Sequence, residues 1–405
     1  MERSPRIEPA VEHNPRVIEL AQLPRALRAM SDVEESQAQA AERLASRARR
    51  ALRLDAVPED DAEKLLEEAQ ALGVTVFEGI VGSGGSAPRI LVADEQTLRR
   101  LGAVLESRNL KGLGSAIRNT LSAYERTGFV LSFTSGERMD LASQTRVMGI
   151  LNVTPDSFSE GRRIVSAAEA VDIAAKMVED GADFVDVGGE STRPGAAPVP
   201  DVEELRRVVP VIEAIKRELA VRVSIDTTKA RVARQAIDAG ADLVNDVSGF
   251  AEPAMIAVVR DTHVPVVVMH MRGTPRTMQQ DTSYVDLLSS VVGFLRKRVE
   301  KALAAGVADD KILVDPGLGF GKSAAGNLQI LRELPTLRSV GRPILIGASR
   351  KSFIGTALDL PVGERLEGSL GVAALAAWHG VHVVRAHDVA ATRRVTRMID
   401  AIRRS

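Results

Sequence analysis

The sequence predicts a TIM (β/α)8 barrel of the α/β class that follows a smaller N-terminal domain. From about Phe129 onward, short β-branched runs alternate with amphipathic helical stretches. Eight strand–helix units can be placed there, which is the number that closes a TIM barrel. The segments GADFVDVGG and GADLVNDVSG repeat one unit, in which a glycine ends a helix and Ala-Asp precedes a buried strand. A doubly wound open sheet is the alternative, and eight regular units exceed what most such sheets use.

The elements of the barrel can be placed from these patterns. FVLSF, SGER and MDL predict a hairpin that leads into the first barrel strand. The predicted strands are 147–152, 183–187, 221–226, 242–246, 264–269, 311–315, 343–347 and 381–385, and helices are expected at Ala167–Asp180, Glu203–Glu218, Lys229–Ala239 and Tyr284–Ala305.

Residues 1–128 are predicted to form a separate α/β or α+β domain, with the barrel at 129–405, because 405 residues exceed one ordinary core. No residue or motif of this first domain predicts a catalytic or binding role. Its expected elements are an irregular lead over 1–30, a helix over 33–56, a helix from Glu59 to Leu72 that stops at Gly73, a strand at Val74–Phe77, a loop over 82–88, a strand at Arg89–Val92, a helix that Asp94 caps and that buries Leu98, Leu101 and Leu105, and a helix over 110–127.

The composition excludes several classes of function. Lys plus Arg is 53 and Asp plus Glu is 54, so a nucleic acid or an anionic membrane is not expected as the main partner. The chain has no cysteine, which excludes disulfides, thiolate nucleophiles and Cys-ligated metals. No apolar run approaches a membrane span, and the N-terminus is charged and broken by prolines. A cytoplasmic protein is the expectation.

Polar residues follow all eight predicted strands, at the end where TIM barrels carry their active sites. A single Asp or Asn at such a position is often only a helix cap, but capping alone does not account for eight strand ends. The residues are Asn152, the GGESTRPGA segment (188–196), Asp226 with Thr227, Asn245 with Asp246, His270, Asp315, the Ser349-Arg350-Lys351 run, and Arg385 with His387 and Asp388.

These residues divide by charge. The cationic set can gather anionic oxygen, and the acidic and amide set can recognise a flat polar heterocycle, so a nitrogenous ring with a phosphate group fits both. The cationic set is Arg193, Arg350, Lys351, Arg385 and His387, and the other set is Asp226, Asn245 and Asp315. For any one arginine, a surface salt bridge of little energetic value is the alternative.

A glycine-rich segment in the same region invites a P-loop interpretation. Gly317, Gly319 and Gly321 precede Lys322-Ser323, but GxxxxGKS would need glycine at position 316, which is proline. We therefore interpret the segment as a glycine-rich turn that shapes a pocket wall. The histidines show no HxxxH or HExxH pair that could hold zinc.

Seven motifs, in order along residues 130–405, together resemble the dihydropteroate synthase family. They are MGILNVTPDSFSEG (148–161), DVGGESTRPGA (186–196), SIDTTKARVARQAIDAGADLVNDVSG (224–249), MHMRGTPRTMQ (269–279), DPGLGFGKS (315–323), GASRKSFIG (347–355) and RAHDV (385–389). The resemblance implies condensation of 6-hydroxymethyl-7,8-dihydropterin diphosphate with 4-aminobenzoate, with release of diphosphate, in folate biosynthesis.

The resemblance also implies roles for individual residues. It implies that the hydrogen-bonding edges of the pterin are bound by Asp226, Asn245, Asp315 and Lys351, and that Met269 packs beside the ring. It implies that the diphosphate is bound by Asn152, Arg385 and His387, with Mg2+ near Asn152. It implies that the aminobenzoate site is formed by Phe320, Ser349 and Lys351, by Phe158 of a first loop, and by Ser191, Thr192, Arg193 and Pro194 of a mobile second loop. A homodimer through the late helices, a dissociative route without a protein nucleophile, and inhibition by sulfonamides are further implications. The first loop reads FSEGRR where the family commonly has FSDGG, so Arg162 replaces a glycine.

Two other functions compete with this interpretation. A pterin-dependent methyltransferase uses a related barrel, but the SRK and STRPG segments argue against it because methyl transfer involves no diphosphate. A catalytically silent barrel, kept for binding or assembly, is the second alternative, since fold alone does not determine function. Pteroate formation from the two substrates separates all three.

Overall fold

The computed structural model describes residues 13–28, 30, 50–79, 85–154, 166–193 and 195–405. The chain divides into two compact units. The first comprises Met1–Arg126 with the short segments Asp286–Gly293 and Pro335–Gly341, and the second comprises Thr127–Val285, Phe294–Leu334 and Arg342–Ser405. Among the described residues, no helix has both the length and the apolar character needed to cross a bilayer.

The first unit is an α+β domain built on an antiparallel sheet of order β1-β2-β4-β3. Its strands are β1 (Arg16–Ile18), β2 (Arg50–Pro58), β3 (Thr75–Glu78) and β4 (Ser86–Ala93), and its helices are α1 (Leu23–Arg28), α2 (Glu59–Ala71), α3 (Glu95–Ser107) and α4 (Lys111–Glu125), with a 3-10 turn at Leu20–Gln22. Asp94 caps α3 through Thr97 N (2.9 Å), and Leu98, Leu101 and Leu105 are fully buried, as the helical spacing predicts.

Three predictions for this unit were wrong. Part of the lead at 1–30 is regular, with β1 and α1. Residues 50–56 of the predicted helix belong to β2, because β2 pairs with β1 on one side and β4 on the other, and this pairing overrides the helix propensity of Ala, Leu and Arg. Residues 86–88 of the predicted loop belong to β4. Residues 31–49 and 81–84 lie outside the described residues.

The second unit is the predicted (β/α)8 barrel. Its parallel strands are β7 (Arg146–Asn152), β8 (Phe184–Gly188), β9 (Arg222–Asp226), β10 (Leu243–Asp246), β11 (Val266–Met269), β12 (Ile312–Asp315), β13 (Leu345–Gly347) and β14 (Val383–Ala386). They pair in the order β12-β11-β10-β9-β8-β7-β14-β13. A bridge between Val314 and Ile344 joins β12 to the residue before β13 and closes the barrel.

The helices of this unit are α5 (Ala167–Glu179), α6 (Asp201–Glu218), α7 (Ala230–Asp238), α8 (Ala254–Thr262), α9 (Leu287–Ala304), α10 (Ala324–Arg332), α11 (Ser352–Leu358), α12 (Leu366–Trp378) and α13 (Val389–Arg404), with 3-10 turns at Asp309–Lys311, Leu334–Val340 and Val362–Glu364. Bounds were predicted for α5, α6, α7 and α9, and these match within three residues at each end.

The predicted hairpin, β5 (Val130–Ser132) and β6 (Arg138–Asp140), closes the amino-terminal end of the barrel. Its apolar residues Leu131 and Phe133 share one buried cluster with side chains near the starts of the barrel strands, such as Phe184 and Leu313. Because this end is filled, the carboxyl ends of the strands form the open mouth.

Candidate active site

Neighbouring strand ends bring the predicted polar residues side by side. Asn152 is in register with Gly188, and Gly188 with Asp226. Asp226 is in register with Asn245 on the next strand, and Met269 with Asp315 farther around the barrel. The parallel register therefore places these side chains at one end of the barrel, as the strand-end pattern predicts.

Arg385, on β14, connects carboxylates from two other strands. Its Nε donates to Asp186 Oδ2 (2.6 Å) and its Nη2 donates to Asp226 Oδ2 (2.8 Å). Asn245 Nδ2 donates to the same Asp186 oxygen (3.1 Å). Two of the predicted residues, Arg385 and Asn245, thus meet at Asp186, and Arg385 joins them to Asp226. Asp186 is fully buried, and the sequence reasoning did not single it out. A carboxylate in the middle of the DFVDVGG strand was the available signal, because a buried charge requires a partner.

The carboxylates at this position have unsatisfied oxygens. Asp226 Oδ1 and Asp186 Oδ1 are buried and accept no hydrogen bond from the described residues. Burial raises the pKa of Asp226 to about 7, although the charge of Arg385 acts in the opposite direction. Burial also raises the pKa of Asp315, against the charge of Lys351. Buried acceptors without donors are costly, so these oxygens are suited to ligand N–H groups.

Lys351 lies at the start of α11, after β13, which pairs with the strand that carries Arg385. Its Nζ donates to the Leu318 carbonyl and lies 4.5 Å from the centre of the Phe320 ring. Burial lowers the pKa of Lys351 to about 8, with Asp315 opposing the shift. Phe320 and Lys351, both predicted for the arylamine site, are therefore in direct contact.

His387 and Ser349 also meet. His387 Nδ1 lies 3.0 Å from Ser349 Oγ, and the His387 backbone N–H donates to the same hydroxyl (3.2 Å). Burial, with the charges of Arg385 and Arg350, lowers the pKa of His387 to about 3. At neutral pH His387 is therefore an uncharged hydrogen-bonding group rather than the cation that the charge sorting assumed.

Arg350 differs from the other members of the cationic set. Its Nη2 and Nε form two bonds with the Asp388 carboxylate (2.6 and 3.0 Å), and its backbone has φ +55°. Its backbone N–H donates to Ser369 Oγ (2.9 Å). Arg350 thus links the turn after β13 to the turn after β14. To bind anionic oxygen, as predicted, its guanidinium would have to leave Asp388.

The loop after β8 is described except at one residue. Arg193 is exposed, and its charge acts on His387. Gly195 N donates to the Pro275 carbonyl (3.1 Å), which connects this loop to the one after β11. Ser191 and Thr192 are partly exposed. Pro194 and Phe158, both predicted to contact substrate, lie outside the described residues.

A second charged cluster supports the base of this loop. Lys229 Nζ donates to both Glu190 and Glu204, and Glu204 is fully buried on α6. Glu190 directly precedes Ser191, so the cluster ties the loop after β8 to the start of α7. The sequence reasoning missed these residues because each is an ordinary charged residue until the fold brings them together.

The mouth of this barrel can hold a flat, nitrogen-rich ring and an attached anion. The carboxylates of Asp186 and Asp226, the Asn245 amide and the Arg385 guanidinium form one hydrogen-bonded network. The Lys351 amino group and the His387 imidazole lie in the turns after β13 and β14. Residues 148–387 match the family described as pterin binding enzyme. The chain belongs to this family of TIM-barrel enzymes.

Within this family, the relatives are dihydropteroate synthases, and the chain belongs with them. The dihydropteroate synthase of Synechocystis sp. is 47% identical over 265 residues, which is 65% of this chain and 92% of that protein. The "Probable bifunctional folylpolyglutamate synthase/dihydropteroate synthase" of Haloferax volcanii is 40% identical over 366 residues, 87% of this chain and 43% of that protein. The second match extends beyond the barrel into the first unit.

Solved structures agree with the fold and the family. A Yersinia pestis dihydropteroate synthase with a sulfonamide drug complex has a TM-score of 0.66 at 43% identity, and covers 68% of this chain and 100% of its own. A Xanthomonas albilineans dihydropteroate synthase with 4-aminobenzoic acid has a TM-score of 0.64 at 43% identity, covering 69% and 100%. These matches do not favour the methyltransferase or the silent barrel.

Proposed function

We propose that this dihydropteroate synthase condenses 6-hydroxymethyl-7,8-dihydropterin diphosphate with 4-aminobenzoate. The bond from the pterin methylene carbon to the diphosphate oxygen breaks, and the arylamine nitrogen forms the new bond to that carbon. The nitrogen then loses a proton to give 7,8-dihydropteroate. No protein nucleophile takes part, in keeping with the sets of side chains in the mouth.

The observation that carries this proposal is the unpaired, buried Oδ1 of Asp226. A 2-amino-4-oxo pterin presents adjacent N–H groups, and a carboxylate accepts such a pair with two charge-assisted bonds. Asn245 and Asp315 would complete the ring edge, and Lys351 would donate to a ring acceptor. Met269, which is buried at the end of β11, would pack beside the ring.

The arylamine would bind beside Phe320, Ser349 and Lys351. Phe158 and residues 191–194 would close over it, because shielding from water prevents capture of the electrophilic methylene carbon by hydroxide or water. The 4-aminobenzoic acid and the sulfonamide in the two solved relatives support an arylamine as the second substrate.

The diphosphate would be held by Asn152, Arg385 and His387, with Arg193 and Arg350 nearby. Asn152 would also hold Mg2+, which when bound neutralises charge on the leaving diphosphate. The amide oxygen of Asn152 is a hard oxygen donor of the kind that Mg2+ accepts. Mg2+ commonly keeps several waters and binds one or two protein oxygens together with substrate phosphates.

The decisive experiment measures pteroate formation from the two substrates with the full chain. Asp226→Asn keeps the size of the side chain but removes an acceptor charge, so kcat/KM should fall about 10- to 100-fold. Asp238→Asn, on the exposed face of α7 in the same β/α unit, is the matched control and should leave the rate unchanged. Methyl transfer without pteroate formation, or full activity of Asp226→Asn, would refute the proposal.

We also infer a homodimer through the late helices. Apolar side chains remain exposed there, with Trp378 at 52%, Met398 at 62% and Ile402 at 44%. Arg403 Nη1 donates to the Ala377 carbonyl (3.0 Å), so the ends of α12 and α13 lie together and these side chains share one surface. Exposed apolar patches of this kind mark association sites. Light scattering of the chain and of Met398→Glu should give a dimer and a monomer respectively.

A cytoplasmic location is proposed on the absence of cysteine, since the fold does not depend on an oxidising compartment. Cell fractionation with an antibody to the chain tests this directly, and recovery with an extracellular fraction would contradict it.

A further inference from the structure

The glycine-rich turn after β12 is held by side chains along its whole length. Five successive carbonyl groups, from Gly317 to Gly321, each accept a side-chain hydrogen bond. The donors are Lys322 Nζ to Gly317 O (2.9 Å), Lys351 Nζ to Leu318 O, Gln279 Nε2 to Gly319 O (3.0 Å), Lys322 Nζ to Phe320 O (2.8 Å) and Tyr284 Oη to Gly321 O (2.8 Å). A loop whose carbonyls are all directed to specific donors has a fixed conformation rather than a solvent-averaged one.

The backbone of this turn requires glycine where it meets the segment after β11. Gly317 and Gly321 have φ of +66° and +63°. A Cβ on Gly317 would lie 2.0 Å from the His270 carbonyl oxygen, and a Cβ on Gly321 would lie 2.8 Å from the Arg272 carbonyl oxygen. The turn therefore lies directly against residues 270–272, with no room for side chains between them.

Lys322 lies at the centre of this contact and is almost fully buried. Besides the two loop carbonyls, its Nζ lies 2.9 Å from His270 Nδ1 and 3.3 Å from His270 O. An ammonium group has three protons and no acceptor, so four surrounding acceptors satisfy it completely. Burial lowers the pKa of Lys322, and the Asp315 carboxylate opposes this shift. Burial and the charge of Lys322 lower the pKa of His270, and a neutral imidazole with its hydrogen on Nε2 accepts at Nδ1.

The turn that Lys322 holds carries Phe320 into the mouth of the barrel. The Phe320 carbonyl is one of the Lys322 acceptors, and the Phe320 ring lies against Lys351 Nζ. Asp315 is held differently, by its strand pairing with Met269 and by the Gly317 N–H (2.7 Å). Loss of Lys322 would therefore displace Phe320 more than Asp315.

We propose that Lys322 is a positioning residue for the arylamine half of the site. Its amino group joins the turn after β12 to the turn after β11, and so fixes the aromatic wall against which a flat arylamine carrying an anionic group would stack. This explains why a GxGxGK segment that is no P-loop ends in lysine, since the amine is turned inward to carbonyl oxygens rather than outward to a phosphate. Lys322 itself does not touch substrate.

The test compares Lys322→Met with Lys311→Met in steady-state assays that vary each substrate separately. Lys311 directly precedes the amino-terminal end of β12 and donates to Ser132 O (2.6 Å), so it is a matched lysine at the opposite end of the barrel from the mouth. In Lys322→Met, the KM for 4-aminobenzoate and the Ki of a sulfonamide should rise together by about 10- to 100-fold. The KM for the pterin diphosphate should change less than about threefold, and Lys311→Met should keep all three constants.

A gentler variant keeps the inference testable if Lys322→Met does not fold. Gln279 is exposed and supplies the donor to Gly319 O, next to Phe320, so Gln279→Leu should raise the same KM and Ki about 2- to 10-fold. Gln280→Leu, at the exposed neighbouring position, is its control. Equal constants in Gln279→Leu and Gln280→Leu, or an equal rise for both substrates in Lys322→Met, would overturn the role of this turn.

The positioning role of Lys322 rests on the proposed function, but the experiments distinguish the failure of one from the failure of the other. A wild-type chain that forms no pteroate refutes the proposed function. A wild-type chain that forms pteroate, with variants whose 4-aminobenzoate KM does not change, refutes only the positioning role of Lys322.

Discussion

Loss of the Arg385 guanidinium should destabilise the barrel strongly, and Arg385→Met tests this. Its guanidinium pairs with Asp186 and Asp226, whose side chains are 0% and 9% exposed, while its own is 18% exposed. Removing one partner of a buried ion pair costs about 3–5 kcal/mol, because the remaining charge stays buried without compensation. Here two carboxylates lose a partner, so we expect a loss of about 3–5 kcal/mol in the free energy of unfolding.

The loss should depend on pH. The pKa of Asp226 is already raised to about 7 by burial, against the pull of Arg385, and without the guanidinium it rises further. A carboxyl whose pKa is higher in the folded chain than in the unfolded chain binds protons more readily when folded, so folding is favoured as pH falls. The deficit of Arg385→Met should therefore be smaller at pH 6 than at pH 8, by up to about 1.4 kcal/mol per pH unit.

Urea unfolding at several pH values measures these quantities. Arg217→Met is the control, since Arg217 is 67% exposed and pairs with its sequence neighbour Glu218, and this variant should cost less than about 1 kcal/mol. Adding Asp186→Asn to Arg385→Met removes one buried charge and should restore about 1–3 kcal/mol. A deficit no larger than that of Arg217→Met, or one that is the same at pH 6 and pH 8, would refute the reasoning.

Three further predictions concern activity and the glycine turn. The proposed roles require Asp226 to be ionised and Lys351 to be protonated, so kcat/KM should fall below a pH of about 7 and above a pH of about 8. Lys351→Arg should remove the alkaline fall, and an unchanged profile in that variant would assign this fall to another group. Sulfonamides should inhibit competitively, with added 4-aminobenzoate restoring the rate, and inhibition that 4-aminobenzoate does not relieve would mean that the arylamine binds elsewhere. Gly317→Ala should lower thermal stability and activity, because its backbone has φ +66° and the new Cβ would lie 2.0 Å from the His270 carbonyl oxygen. Gly363→Ala should change neither, because nothing lies within 4 Å of its Cβ. Equal melting temperatures of the two variants would contradict the close approach at Gly317.

The barrel was predictable because its signals are local. Each strand is a short apolar run with a polar residue at its end or within two residues after it, and most helices have an apolar face at regular spacing. The strand ends Asn152, Asp226, Asn245 and Asp315 could therefore be placed within a residue of their observed positions. Closure of a parallel sheet then brings those ends together without further information.

The first unit was less predictable because its structure depends on pairing rather than on pattern. Residues 50–58 carry Ala, Arg and Leu, which favour helix, yet they form the strand between β1 and β4. Arg53 on that strand is buried and pairs with Asp55 (3.0 Å) and Asp286 (3.1 Å). Asp286 lies far along the sequence, and no periodicity within residues 50–58 indicates such a partner.

Asp186 and Lys322 show a more general limit of reading strand ends. Both are charged, both are buried, and neither has the position that marks a ligand-binding residue. One lies within a strand and contacts Arg385 and Asn245, and the other lies inside a turn and contacts four acceptors. Because a buried charge is unfavourable unless it is paired and hydrogen-bonded, each implies a specific set of partners. Those partners include residues that we propose to bind the pterin and the arylamine, such as Arg385, Asn245 and Phe320. Buried charges next to predicted contact residues are therefore a second source of functional predictions, and they identify residues such as Asp186 and Lys322 that the strand-end pattern does not.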